Sequence, residues 1–165
     1  RGDVVRLDGK ITVLGFSGTN LLANRGNLFN LNQKIYQRYH TFKDLQFVML
    51  CPVRKKKDAQ AVLDALKAFT DVKQWNFVFA TPEEIANFYK QMQLKSQLDS
   101  NYGTSNVFIF DKERNLRGRN KEEYKEGYNT FHPAELSNEM LDDFKILLYE
   151  YKAALKKNNN ATKQL

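Results

Sequence analysis

The sequence has very few of the residues that bind transition metals or carry out redox chemistry. Among its 165 residues there is one cysteine, Cys51, and there are two histidines, His40 and His132. A single cysteine excludes an intramolecular disulfide, a dithiol redox pair and a zinc site built from several thiolates. The two histidines are far apart in the chain, and neither belongs to a metal-ligand pattern. We therefore expect no cofactor, and the sequence favours a protein that is not an enzyme.

Long apolar runs and proline are also scarce. No apolar run approaches the ~20 residues that a membrane-spanning helix needs, and three Pro stand against twelve Phe and eight Tyr. This composition is typical of one folded domain rather than of a disordered chain. Because the sequence begins at Arg1 without an initiator Met, we expect an excised domain, and any signal or membrane anchor upstream would not be visible.

The charge is biased toward basic residues without forming a recognisable site for a polyanion. The 26 Lys and Arg exceed the 19 Asp and Glu, which gives a net charge of +7. The basic residues are scattered, apart from concentrations at 54–57, 112–125 and 152–163, and a solvated surface is the favoured explanation. An anionic membrane surface is a further candidate partner. No RNA- or DNA-binding signature stands out, so nucleic acid is not an expected partner.

The chain is organised around a strand, a loop and a helix in residues 11–39. Residues 11–16 form an apolar run of strand length. A stripe at three- and four-residue steps then predicts a helix, and it consists of Leu28, Leu31, Ile35 and Tyr39. Such a unit directs loop N–H groups and the helix N-terminus at one spot, which suits a thiolate, phosphate or bound metal. The loop, residues 17–27, contains no Cys, His or acidic residue.

The remaining chain predicts further alternation of strands and helices. Strands are expected at 45–50, 75–79 and 106–110, with helices at 59–69, after the Thr81 cap and after Pro133. This order predicts an α/β fold, with a thioredoxin-like central mixed sheet, helices on both faces and a C-terminal helical extension. We divide the chain into three parts: a core at 1–118, a charged connector with an amphipathic helix packed on the core at 119–157, and a disordered polar tail at 158–165.

Four stretches of the core resemble one family in their order and spacing. They are Asp8-Gly9-Lys10 with ITVLGF, CPVRKKKD after the second strand, Trp75 to Phe79 with the capped helix, and NYGTSNVFIFDKERNLRG. Together they resemble the Sco/SenC type of copper-chaperone and thiol-oxidoreductase domain. The resemblance covers roughly residues 8–118, and it implies a Sco-type thioredoxin-like fold for the core.

The ligands that this resemblance implies are absent from the sequence. The family binds copper through a Cys-x-x-x-Cys pair after the first core strand and a His eight residues before a strand-end Asp. The matching positions here are Thr19, Ala23 and Gly103. Copper(I) prefers thiolate and imidazole ligands, which these residues do not supply. The resemblance therefore implies a divergent member that kept the scaffold and lost the metal site.

Two features have competing interpretations. Cys51 replaces the Asp of the family's Asp-Pro-x-Arg-Asp loop and precedes a basic run that would lower its pKa, so it is a weak catalytic candidate. A small, semi-buried hydrophobe is the favoured interpretation. The aromatic residues Tyr124, Tyr128 and Phe131 either form a partner-facing patch or cover the base of the last helix, and the sequence does not decide between these.

Two hypotheses about function follow. The first is a non-catalytic Sco-like domain that serves as a protein-binding or structural subunit of an extracytoplasmic assembly. We expect a periplasmic, membrane-associated location, with an anchor upstream of this sequence. The candidate contacts at the edge of the sheet are Arg25, Arg54 and Tyr102, and Tyr124, Tyr128 and Phe131 offer a second surface. The alternative is a copper chaperone or thiol oxidoreductase that uses Cys51 or ligands supplied by a partner.

Overall fold

A computed structural model describes residues 5–118 and 126–163, with side chains up to residue 158. The strands are β1 (Ile11–Ser17), β2 (Leu45–Pro52), β3 (Trp75–Ala80), β4 (Gly103–Phe110), β5 (Leu116–Arg117) and β6 (Tyr128–Asn129). The helices are α1 (25–39, with a π turn at Asn32–Tyr36), α2 (Lys56–Lys67), α3 (Pro82–Gln91) and α4 (133–163, with a π turn at Leu136–Met140). A short 3₁₀ turn at Val53–Lys55 precedes α2.

The strands form one mixed sheet in the order β3-β2-β1-β4-β5. Strands β1, β2 and β3 are parallel, and β4 runs antiparallel to β1. The edge of β4 that faces away from β1 pairs with β5 near its end and with β6 near its middle. The predicted fold class, an α/β thioredoxin-like mixed sheet with a C-terminal helix, is confirmed. Strand β6 was not predicted, because it lies in the segment assigned to the charged connector.

The two faces of the sheet carry separate hydrophobic cores. Helices α1, α2 and α4 cover one face, where Trp75, Phe47 and Tyr36 pack together. Helix α3 covers the other face through Ile85 and Tyr89. Every residue of β2 is buried, which explains the continuous apolar run by which that strand was predicted.

The predicted start of α3 is also confirmed. The Thr81 hydroxyl accepts a hydrogen bond from the Glu84 N–H, and the Glu84 carboxylate accepts one from the Thr81 N–H. This capping box satisfies two N–H groups that a helix leaves free at its start. It fixes the direction in which α3 leaves the end of β3.

The C-terminal helix α4 packs on the same face as α1. Its residues Phe144, Leu147 and Leu148 are buried in that core. Beyond them, the Tyr151 hydroxyl donates a hydrogen bond to the Asp44 carboxylate, at the opposite end of the sheet from the loop after β1. The helix continues to Lys163, so it extends into the segment that was predicted to be a disordered tail. None of the described helices combines the length and the apolar composition that crossing a membrane requires.

Candidate functional site

Two loops meet at the edge of the sheet where β1 ends and β4 begins. Ser17, the last residue of β1, is paired with Gly103, the first residue of β4. Immediately beyond this pair, the Thr19 N–H donates to the Asn101 carbonyl at 2.9 Å. The Thr19 hydroxyl donates to the side-chain oxygen of Asn101 at 3.0 Å. The loop that should carry reactive groups in this fold is therefore bound directly to the loop before β4.

Two glycines make this close approach of the loops possible. Gly18 has φ of +67°, a conformation that residues with a side chain rarely adopt. A Cβ atom added to Gly103 would lie 2.9 Å from both the Cα and the N of Gly18. Both of these are backbone atoms, so a side chain at position 103 would have to push the two loops apart.

This geometry bears on the copper ligands that the family resemblance implies. Thr19 lies in one of the paired loops and Gly103 begins β4 beside them, while Ala23 lies exposed in the loop before α1. The position that matches the family's His thus has no room for an imidazole, and the other two positions carry no thiolate. Within the described residues, no three His, Cys, Asp or Glu side chains come together in a group that could hold a metal. The residues present do not fit a copper ion.

Cys51 lies inside the sheet rather than at a reactive position. Its side chain is fully buried in β2, with Sγ 3.6 Å from the Met49 carbonyl oxygen. Burial raises the pKa of the Cys51 thiol to about 12, against the smaller opposing effect of a hydrogen bond with Ser17. The neighbouring basic residues therefore do not activate this thiol, since the nucleophilic form is the thiolate. The structure supports the interpretation of Cys51 as a small core residue.

Beside the paired loops lies a cleft of about 290 Å³. Its walls come from the loop after β1 with the start of α1, from residues 99–105, and from residues 129–131. Apolar side chains form the inner surface, namely Phe16, Leu21, Leu28, Met49 and Val107. Amides, hydroxyls and the Asp99 carboxylate line much of the rest; the amide and hydroxyl residues are Ser17, Asn20, Asn24, Asn27, Asn101, Thr104, Ser105, Asn129 and Thr130. We call this site the amide cleft.

Hydrogen bonds hold the third wall of the amide cleft in place. Thr130 donates to the Ser105 carbonyl through its N–H at 2.9 Å and through its hydroxyl at 2.6 Å. The Asn30 side chain, from α1, donates to the Thr130 carbonyl at 3.0 Å. These bonds hold residues 129–131, at the end of β6, against β4 and α1, although Asn30 and Thr130 are 100 residues apart in the chain. Sequence reasoning missed Asn129 and Thr130, because a two-residue strand has no recognisable period.

The candidate partner-binding residues differ in their exposure and in their position relative to the cleft. Arg25, Arg54 and Tyr102 are all exposed, and none of them lines the cleft. Tyr128 is fully buried, and its hydroxyl donates to Asp143 of α4 at 2.5 Å. Of the two interpretations that the sequence left open for Tyr128, the structure agrees with the second, in which this residue covers the base of the last helix. Tyr124 lies outside the described residues.

Phe131 belongs to the second of the two candidate surfaces. Its side chain is 69% exposed, and it lies on the rim of the amide cleft. The opposite wall belongs to the loop after β1. Phe131 and the loop after β1 thus line the same cleft, although Arg25, Arg54 and Tyr102 do not.

The comparisons with known proteins identify structural relatives only. No family model matches the sequence, and no curated protein matches it. Among solved structures, a SCO1/SenC family lipoprotein from Bacillus anthracis is similar with 20% identity and a TM-score of 0.51, over 86% of this chain and 83% of that chain. BsSco, a member of the Sco family of cytochrome c oxidase assembly proteins, has 16% identity and a TM-score of 0.49, over 84% and 77%. Copper-bound yeast Sco1 has 15% identity and a TM-score of 0.47, over 84% and 78%. The similarity predicted from sequence is thus confirmed as a shared fold.

Proposed function

We propose that this chain is a divergent Sco-type domain that has lost the copper site and works by holding a protein partner. The observation that carries the proposal is the contact between Gly18 and Gly103, because Gly103 matches the family's His position and the contact leaves no room there for a side chain. Beside it, the same edge of the sheet offers a preformed cleft with hydrogen-bonding groups and an exposed aromatic ring. Such a surface suits recognition of a polypeptide rather than catalysis.

The proposed setting is an extracytoplasmic, membrane-associated assembly. Its support is the Bacillus anthracis structure of the same fold, which is a lipoprotein. A lipoprotein is held at a membrane surface by a lipid anchor, so a domain of this fold works there without a spanning helix of its own. The excess of basic residues is compatible with an anionic membrane nearby.

The alternative is a copper chaperone or thiol oxidoreductase that uses ligands supplied by a partner or works through Cys51. The buried position of this thiol and its raised pKa argue against it. Titration of the purified domain with Cu(I) in the presence of a competing chelator tests this alternative. We expect no stoichiometric retention of copper. Retention of one ion per chain at sub-nanomolar affinity would restore the alternative.

Affinity purification from the native membrane fraction tests the proposal itself. We expect the wild-type domain to recover a stable protein partner and Phe131→Ala to recover much less of it. Phe69→Ala is a matched control, because Phe69 is 68% exposed and does not line the amide cleft. If the wild-type domain recovers no partner and behaves as a free monomer, the proposal fails.

A further inference from the structure

The amide cleft supports a more specific inference, which rests on the proposed function. Asn20, Asn24 and Asn27 line one wall. Within residues 5–118 and 126–158, their side-chain amides form no hydrogen bond. Asn24 even occupies the N-cap position of α1 without a side-chain cap bond. We infer that this wall binds an uncharged, hydrogen-bonding segment of the partner polypeptide through these three amides.

The charge of the cleft favours an uncharged ligand. Among the described residues that line it, Asp99 alone carries a formal charge. One oxygen of its carboxylate already accepts the N–H of Asn101 at 2.8 Å and that of Gly103 at 3.1 Å. A charged segment that leaves water needs an opposite charge to compensate for its lost hydration, and the cleft has little to offer it. Peptide groups and uncharged polar side chains need only donors and acceptors, and each free amide supplies both.

The size and shape of the cleft favour part of a chain rather than a cofactor. Small-molecule sites usually have ~300–1,000 Å³, and this cleft, at about 290 Å³, lies at or below the lower limit of that range. Its apolar inner surface accommodates one or two residues, while Phe131 on the rim extends the contact along a polypeptide. The side-chain amides of Asn24 and Asn27 can pair with the main chain of such a segment in the way that peptide groups pair with one another.

The walls are also fixed before a ligand arrives. The Thr19–Asn101 bonds hold two of them together, and the Thr130–Ser105 bonds hold the third. A site with fixed walls loses less conformational entropy on binding than one that must assemble around its ligand.

Selection from a phage-displayed random peptide library on the immobilised wild-type chain tests the inference. We expect enrichment of sequences rich in Asn, Gln, Ser, Thr and Gly and poor in charged residues. For synthetic peptides taken from that pool, the double variant Asn24→Leu/Asn27→Leu should weaken affinity about tenfold or more. Asn87→Leu is the matched control, because Asn87 is exposed on α3 and does not line the cleft. It should leave the affinity unchanged.

A second double variant separates recognition from an effect on folding. Asn24→Asp/Asn27→Asp keeps the side-chain size and places negative charge in the cleft, so selection on it should shift toward Lys- and Arg-containing peptides. Thermal melting of each variant verifies that it is folded.

Three results would overturn the inference: enrichment of charged peptides on the wild type, unchanged affinity of the Leu double variant, or binding of neutral saccharides on a glycan array with no peptide selected. These results are separable from a failure of the proposed function. If the membrane partner still co-purifies fully with Asn24→Leu/Asn27→Leu, the inference fails and the proposed function stands. If selected peptides bind and the membrane fraction yields no partner, the proposed function fails instead.

Discussion

Replacing Gly103 with alanine should destabilise the domain through one specific contact. The added Cβ would lie 2.9 Å from the Cα and N of Gly18 and 3.1 Å from the carbonyl carbon of Ser17. All three are backbone atoms, so no flexible side chain can move aside. Gly103 does not have a positive φ, and the effect is therefore steric rather than conformational. Overpacking of this kind typically costs ~1–3 kcal/mol.

The assay is chemical denaturation at neutral pH, combined with thermal melting. For a chain of this size, a loss of 1 kcal/mol lowers Tm by roughly 2–4 °C. Gly26→Ala is the matched control, since a Cβ added to Gly26 would meet no atom within 4 Å and this glycine lies in the first turn of α1. That change should be neutral or should stabilise the fold by ~0.4–1 kcal/mol.

The same reasoning extends to the family's own residue at this position. Gly103→His should destabilise the domain more than Gly103→Ala, because the imidazole adds volume where the Cβ alone already clashes. If Gly103→Ala melts at the wild-type temperature, the two loops separate at little cost. The argument that their contact excludes a copper site would then be refuted.

Two further predictions concern the core. Because burial raises the Cys51 pKa to about 12 from an ordinary value of 9.0, its contribution to stability is present below pH 9 and is lost as the pH rises toward 12. Over that pH range, the wild type should lose more stability than Cys51→Ala. At neutral pH, a thiol reagent should modify the folded wild type far more slowly than it modifies free cysteine. Rapid modification would contradict the burial of this thiol. Truncation after Asn129 removes Phe144, Leu147 and Leu148, which are buried in the core. Burial of each such side chain stabilises a fold by ~1.5–3 kcal/mol, whereas the whole free energy of unfolding of a domain is typically ~5–15 kcal/mol. The truncated chain should lose its cooperative melting transition, and an unchanged midpoint would show that the helix contributes nothing to the fold.

Local patterns were sufficient to predict the four longest strands of the sheet, β1 to β4. The apolar run in β2 and the Thr81 capping box both depend on residues close together in the chain, so they are visible in the sequence. Strand β6 is different, because Tyr128 and Asn129 are placed by pairing with Asn106 and Val107 of β4. Two residues show no alternation, and their charged surroundings suggest a surface loop.

The candidate site shows the same division between local and long-range information. Its location, at the edge of the sheet after β1, followed from the strand–loop–helix pattern. The contact between the loop after β1 and the start of β4 could not be predicted, because nothing in the sequence shows that Gly18 and Gly103 are neighbours in the fold. The burial of Tyr128 could not be predicted either, since it depends on a contact with Asp143 of α4, which begins later in the chain.

The position of α4 in the core also has a consequence for how the protein folds during synthesis. The larger core needs Leu136, Met140 and Phe144 to cover a sheet whose first strand begins at Ile11. These residues leave the ribosome after β1 to β6. Until then, much of the apolar surface of β1, β2 and α1 is uncovered. Contacts between such distant parts of a chain form slowly, and an uncovered face attracts other chains in the meantime. We therefore expect nascent chains of this domain to depend on a chaperone until the C-terminal helix has emerged.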